Sequence, residues 1–232
     1  MNCTLNTSQM GLVDMFFMSI NSMSAPNQET DYDICFVYEA LKRGSNILIH
    51  QVTVESLMAN HLVKKYIPQN KDLECGVGFV ELPQDFARFV SIKLPQWHFT
   101  STRLRDHEGT SRNVGKYRLS IFKDNATPES FISVRSIGNY AGTVIGFSPV
   151  TDTSASSMSV DFWYVPNIAP ENLPEIFKSL CIWLAANDVF SASGDFDLAQ
   201  SARSKALDVV NLYKIGLMNE QDVLPISAPH TP

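Results

Sequence analysis

The chain has 232 residues, of which 44% are hydrophobic and 18% charged, and that length suits one large domain or two small ones. A formal net charge of −6, with no basic run longer than Lys42-Arg43 or Lys64-Lys65, excludes a protein that grips nucleic acid along a basic stripe. The charged share falls below the quarter usual for a free monomer, which suits a surface partly covered by partners.

Helical spacing opens the chain. Leu12, Met15/Phe16, Ser19/Ile20 and Met23 predict a helix over 8–23, with Thr7 or Ser8 placed to cap it. Ile34, Val37/Tyr38 and Leu41 predict a second over 31–43 behind Asp31. Gly44-Ser45-Asn46 interrupts or loosens it, and Ile47-Leu48-Ile49 is able to continue it. A third helix fits 53–66, with Thr53 as cap and Pro68 beyond its end.

From about residue 76 to 165 the period becomes two, punctuated by Gly, Ser, Thr and Pro. Val77–Leu82, Val90–Leu94, Tyr117–Phe122, Phe131–Ile137, Gly142–Phe147 and Met158–Val165 read as strands. Helical spacing then returns. One helix starts at Pro170-Glu171-Asn172 and carries Leu173, Ile176/Phe177, Leu180 and Trp183/Leu184. Gly194 ends it, and a second runs from about 195 to 217 with Ala199, Ala202, Ala206, Val209/Val210 and Tyr213 on one stripe. Those small residues admit a close neighbour.

The fold expected is α+β. Residues 1–75 and 166–218 form a helix bundle from the two ends of the chain, and 76–165 form an inserted β-rich lobe. An isolated helix pair buries too little apolar area to offset backbone ordering of about 1–2 kcal/mol per residue, so the terminal helices need each other. Residues 219–232 hold three prolines and no helical period, which predicts an extended C-terminal arm. Ordering a dozen such residues costs on the order of 10–20 kcal/mol. The arm therefore docks on a partner, through Leu224, Pro225, Ile226, Pro229 and Pro232, or stays disordered.

No residue pattern points to catalysis. There is no G-x-S-x-G elbow, and His50, His61, His98, His107 and His230 stand in no metal or catalytic spacing. His98 and His107 flank a polar loop with Arg103, Arg105, Asp106 and Glu108. Gly76-Val77-Gly78 lacks the third glycine and the following helix of a phosphate cradle. Asp195 and Asp197 suit a helix start. Trp97 and Trp163-Tyr164 have no basic residues interleaved and read as packing, not base stacking. The expectation is a non-enzymatic protein with no catalytic, cofactor or metal site. Cys3, Cys35, Cys75 and Cys181 are far apart and read as single buried thiols. The N-terminus lacks the basic region of an export signal, and no apolar run approaches ~18 residues. A soluble protein made in a reducing cytoplasm, without membrane contact, is expected.

The stretch Val80-Glu81-Leu82-Pro83-Gln84-Asp85-Phe86-Ala87-Arg88-Phe89-Val90-Ser91-Ile92-Lys93-Leu94-Pro95-Gln96-Trp97 resembles a recurring element of phage structural proteins. Tyr38-Glu39-Ala40-Leu41-Lys42-Arg43-Gly44, Val160–Pro166 and the helices at Leu173–Phe190 and Phe196–Tyr213 fit the same layout. It is similar to that of the head-to-tail adaptor or connector proteins (tail tubular protein A-like) of short-tailed phages, with related ring proteins in crAss-like phages. The resemblance implies a ring of like copies, of twelve by the family's habit, in the neck of the virion. It implies as partners the portal protein and further tail or neck proteins, and a channel through which genomic DNA passes without specific binding. It implies no catalytic residue. The other functions weighed are a tail-completion or major tail ring subunit, and an enzyme with an unrecognised site.

Overall fold

The computed structural model describes residues 4–23, 32–74, 76–105, 128–150 and 158–218. The protein is α+β, and its chain divides into two compact units: Met1–Asn60 with Asn167–Pro232, and His61–Pro166. The second unit begins earlier than the expected residue 76, because two short strands precede that point and belong to its sheets.

In the first unit, α1 (Thr7–Asn21) is capped by Asn6 and not by Thr7 or Ser8. The Asn6 side chain accepts from the Gln9 amide, and the Gln9 side chain accepts from the Asn6 amide, each at 2.9 Å. This reciprocal box satisfies two donors that the first turn leaves open. α2 (Ile34–Gln51) starts behind Asp33 instead of Asp31, with its carboxylate accepting from the Cys35 and Phe36 amides. It runs unbroken through Gly44-Ser45-Asn46. Gly44 sits on the buried face, and a Cβ there would lie 2.9 Å from the Cys181 carbonyl oxygen. The glycine serves close helix packing, and the Ser45 hydroxyl is satisfied by donating to the Ile168 carbonyl.

The helix expected over 53–66 is cut to α3 (Val54–Ala59). His61 takes a left-handed conformation at φ 58°, which stops the helix, and Lys64–Tyr66 goes on as a strand. After a 3-10 turn at Pro170–Asn172, α4 (Glu175–Ser193) starts five residues later than expected. Pro174 accounts for the delay, since it drives Leu173 to the extended conformation. α4 buries Phe177, Leu180, Cys181, Ala185 and Phe190, among others, and packs against α1, α2 and α5 (Phe196–Tyr213). Ala199, Ala202 and Ala206 of α5 are buried, so the small-residue part of the stripe is used within the chain; Val209 and Val210 are half-buried and Tyr213, at the last turn, is exposed. Lys214 ends α5 in the left-handed region, and Leu217 then bridges to Val52.

The second unit holds β1 (Lys64–Tyr66), β2 (Lys71–Glu74), β3 (Val77–Glu81), β4 (Phe86–Lys93), β5 (Leu104–Arg105), β6 (Glu129–Ile137), β7 (Tyr140–Ser148) and β8 (Asp161–Pro166). They form a three-stranded sheet, β1-β8-β4, and a five-stranded one, β2-β3-β7-β6-β5. Pairing is antiparallel except for β5 with β6. The strand expected over Tyr117–Phe122 lies outside the described residues. β6 and β7 join through Gly138-Asn139, a two-residue turn in which Gly138 has φ 55°, the conformation such hairpin turns demand. Val80, Ile145 and Phe147 of the larger sheet share one core with Ile92, Phe162 and Tyr164 of the smaller. Val77, Phe79, Phe131 and Val144 form a second cluster. β3 is buried at every position, which explains why its sequence does not alternate.

Candidate interaction surface

The titratable groups are spread through the fold. His61 and His98 are exposed, and among the described residues no three His, Cys, Asp or Glu side chains are grouped to hold a metal ion. His107 and His230 lie outside the described residues, as do Asp106 and Glu108 of the polar loop. Gly78 lies within β3 and no helix follows it, so the glycine pair has no cradle geometry. The Trp97 indole is buried and donates to the Pro149 carbonyl at 2.7 Å. Cys181 is a buried free thiol, donating to the Leu41 carbonyl. Burial pushes it up to about 12, which leaves it a poor nucleophile at neutral pH. Cys35 departs from the single-thiol expectation, being only half-buried and disulfide-bonded.

Two carboxylates organise the polar interior. In the first unit Glu171 accepts from the Tyr38 hydroxyl at 2.9 Å and from Gln9 at 3.2 Å, joining α1 and α2 to the 3-10 turn. Burial, then the hydrogen bond to Glu171, pushes the Tyr38 phenol up to about 12. It remains a hydrogen-bond donor at any physiological pH. In the second unit Glu81 is 7% exposed and its hydrogen bonds come from neutral donors. It accepts from the Tyr66 hydroxyl at 2.7 Å, the Gln69 amide at 3.0 Å and the Asn70 side chain. Burial alone pushes its pKa upward, but the hydrogen bonds from Asn70, Tyr66 and Gln69 outweigh it and hold the carboxyl below its ordinary 4.5.

That arrangement ties acid sensitivity to one residue. A carboxylate with a depressed folded-state pKa stabilises fully above its unfolded value, and the contribution fades as pH falls through the folded one. Glu81→Gln is therefore expected to be less stable than the parent at neutral pH. The gap narrows as pH drops below 4.5, which urea midpoints at a series of pH values measure. A gap that stays constant with pH overturns the assignment.

Apolar side chains stay exposed on both units, Ile67, Phe99 and Val134 of the second among them, and on the first unit they adjoin a groove. α5 leaves Phe196, Leu207, Leu212 and Tyr213 exposed, with Leu212 73% open to solvent. Beside it runs an apolar groove of about 300 Å³, walled by α2, α4, α5 and the segment after Lys214, with Leu48, Leu180, Leu184, Leu207 and Leu217 in its lining. Arg203 is the one charged side chain lining it, and it makes no ion pair among the described residues. The Met218 amide donates to the Gln51 carbonyl at 2.7 Å, so the last described residue lies on the groove's rim. Leu224, Pro225, Ile226, Pro229 and Pro232, the partner-binding residues expected from sequence, follow it and lie outside the described residues. The apolar period of the separate helices does not predict this groove. Its signal in the sequence is Leu207, an apolar residue of α5 that stands off the alanine stripe. No helix among the described residues is long and apolar enough to cross a membrane.

No family model matches the chain, and no curated protein matches it either.

Proposed function

We propose that this chain is a structural virion protein, a ring-forming head-to-tail adaptor that joins the portal to the tail of a short-tailed phage and continues the DNA channel. The observation that carries the reading is the apolar groove at the root of the C-terminal arm, with Leu207 of α5 half-exposed in its lining. An apolar groove left open where the described chain ends suits a protein-binding site. The sequence resemblance to adaptor proteins supplies the kind of partner: copies of the same chain, the portal, and neck or tail proteins. A net charge of −6 suits a channel wall, because like charge lets DNA slide past without adhering. The protein is made in the host cytoplasm and ends in the virion neck.

The test is electron microscopy of the virion neck, backed by particle mass of the purified chain mixed with portal rings. One closed layer of copies under the portal, each burying well over ~1,000 Å² against its neighbour, is the expected result. Many stacked layers favour a major tail or tail-completion subunit instead. A strict monomer in the presence of portal, with measurable turnover or a retained cofactor, overturns the assembly reading.

A further inference from the structure

We infer that Glu81 is a latch: its ionised carboxylate closes the strap at residues 66–70, and protonation releases that strap while both sheets stay paired. The inference concerns one chain by itself and stands apart from the assembly reading.

The strap carries the chain from β1 in the smaller sheet to β2 in the larger. Outside the ladders, its hydrogen bonds among the described residues all run to Glu81. Oε1 accepts from the Tyr66 hydroxyl at 2.7 Å and the Gln69 amide at 3.0 Å, and Oε2 accepts from the Asn70 side chain. The Glu81 amide in turn donates to the Asn70 carbonyl at 3.4 Å. Pro68 is buried but has no N–H to add, and Ile67 beside it is 74% exposed. One side chain therefore closes the whole crossing.

Donors alone face the carboxylate, so its proton count decides whether the strap is held. The ionised form accepts at both oxygens; the protonated form sets its own O–H among groups that have hydrogens to give. The bonds that remain lose their charge assistance. No cation contacts Glu81 among the described residues, and the neighbouring titratable groups are engaged elsewhere. Tyr140 donates to the Thr143 carbonyl, Tyr164 to Asp85, which also meets Lys64, and Arg135 pairs with Asp72 and Glu74. Val144, opposite Glu81 on β7, is apolar. The donors hold the folded carboxyl below 4.5, so the latch is closed at neutral pH and opens as pH falls through that lower value. The sheets keep the core shared by Val80, Ile145 and Phe162, which the proton leaves untouched.

Amide hydrogen exchange of the full chain, resolved by NMR, tests this residue by residue. In the parent at neutral pH, exchange at the Gln69 amide is expected not to respond to low urea, because a local opening exposes little surface. Amides of β7 and β8, the middle strands of their sheets, respond to urea. Glu81→Gln puts an NH2 donor where an acceptor stood and mimics the protonated state. It is expected to cost Gln69 at least about tenfold in protection at neutral pH, with β7 and β8 still protected. Below 4.5 the parent converges on that variant. Exchange of Gln69 in step with the ladders under urea, or Gln69 still protected in the variant or in acid, overturns the latch. A swap gives the second readout. Asn70→Asp alone sets two carboxylates together and opens the strap. Combined with Glu81→Gln, it returns an acceptor to the new donor, and Gln69 protection recovers. A double variant as open as either single one also overturns the proposal.

Discussion

Phe162→Ala is expected to lower the stability of the β-rich unit by about 3–5 kcal/mol, the range for emptying a large buried aromatic site. Phe162 is fully buried on β8, the middle strand of the smaller sheet. Its ring lies close to four others: Tyr66 at 6.1 Å, Phe86 at 6.3 Å, Phe89 at 6.0 Å and Tyr164 at 6.0 Å. Truncation removes the shared partner of all four, and aromatic pairs of this kind contribute beyond their buried area. Neighbours fixed on paired strands close such a hole only in part. Urea unfolding followed by tryptophan fluorescence measures the loss, because Trp97 and Trp163 both lie in this unit. Trp183, in the helical unit, is silenced by Trp183→Phe in both proteins compared. A midpoint shift equivalent to less than about 1 kcal/mol sinks the prediction.

Gly44→Val is expected to destabilise the helical unit by about 3 kcal/mol, the upper part of the overpacking range. Two effects compete at this position. Residues with a Cβ, proline apart, are better helix formers than glycine, by roughly 0.5–1 kcal/mol for alanine. Against that, the added Cβ meets the Cys181 carbonyl oxygen at 2.9 Å and the Ala185 amide nitrogen at 3.5 Å. Both are backbone atoms of α4, which no rotamer change moves aside, so the clash wins. Gly11, on the exposed side of α1, has nothing within 4 Å of its added Cβ. Gly11→Ala is therefore expected to stabilise by about 0.5–1 kcal/mol. Thermal unfolding followed by helical circular dichroism compares the two substitutions, and equal signs for both refute the argument.

Much of the architecture was legible because it depends on period. The apolar spacing of Leu12, Phe16 and Ile20, and of Val37, Leu41 and Leu48, marks the buried faces that α1 and α2 present. The strands at Val77, Phe131 and Gly142 were found within a few residues of their ends for the same reason. The errors fall where a local pattern was overridden by distant pairing. Lys64–Tyr66 carries helical spacing, yet its hydrogen bonds go to Phe162–Tyr164, about a hundred residues on. β2 and β5 are short and mostly polar, and only their partners make them strands. The alanine stripe of α5 was readable as a close-packing surface, but not that α4 would be the neighbour. Of the groove, Leu48, Leu184 and Leu207 come from three separate helices, and no single periodic segment contains that convergence. Glu81 gave no signal at all. A glutamate in an apolar run reads as a solvent-facing residue until the donors of Tyr66, Gln69 and Asn70 are brought around it.

The pairing of β1 with β8 has a consequence for how such a gene changes. Lys64 faces Tyr164 across the ladder, so the insert is entered and left through neighbouring strands whose backbones are about 5 Å apart. A stretch of chain whose two ends meet this closely can be lengthened, shortened or exchanged for another while its host needs only a short splice. Relatives of this chain are expected to diverge most between those two strands, with the helical frame on either side kept.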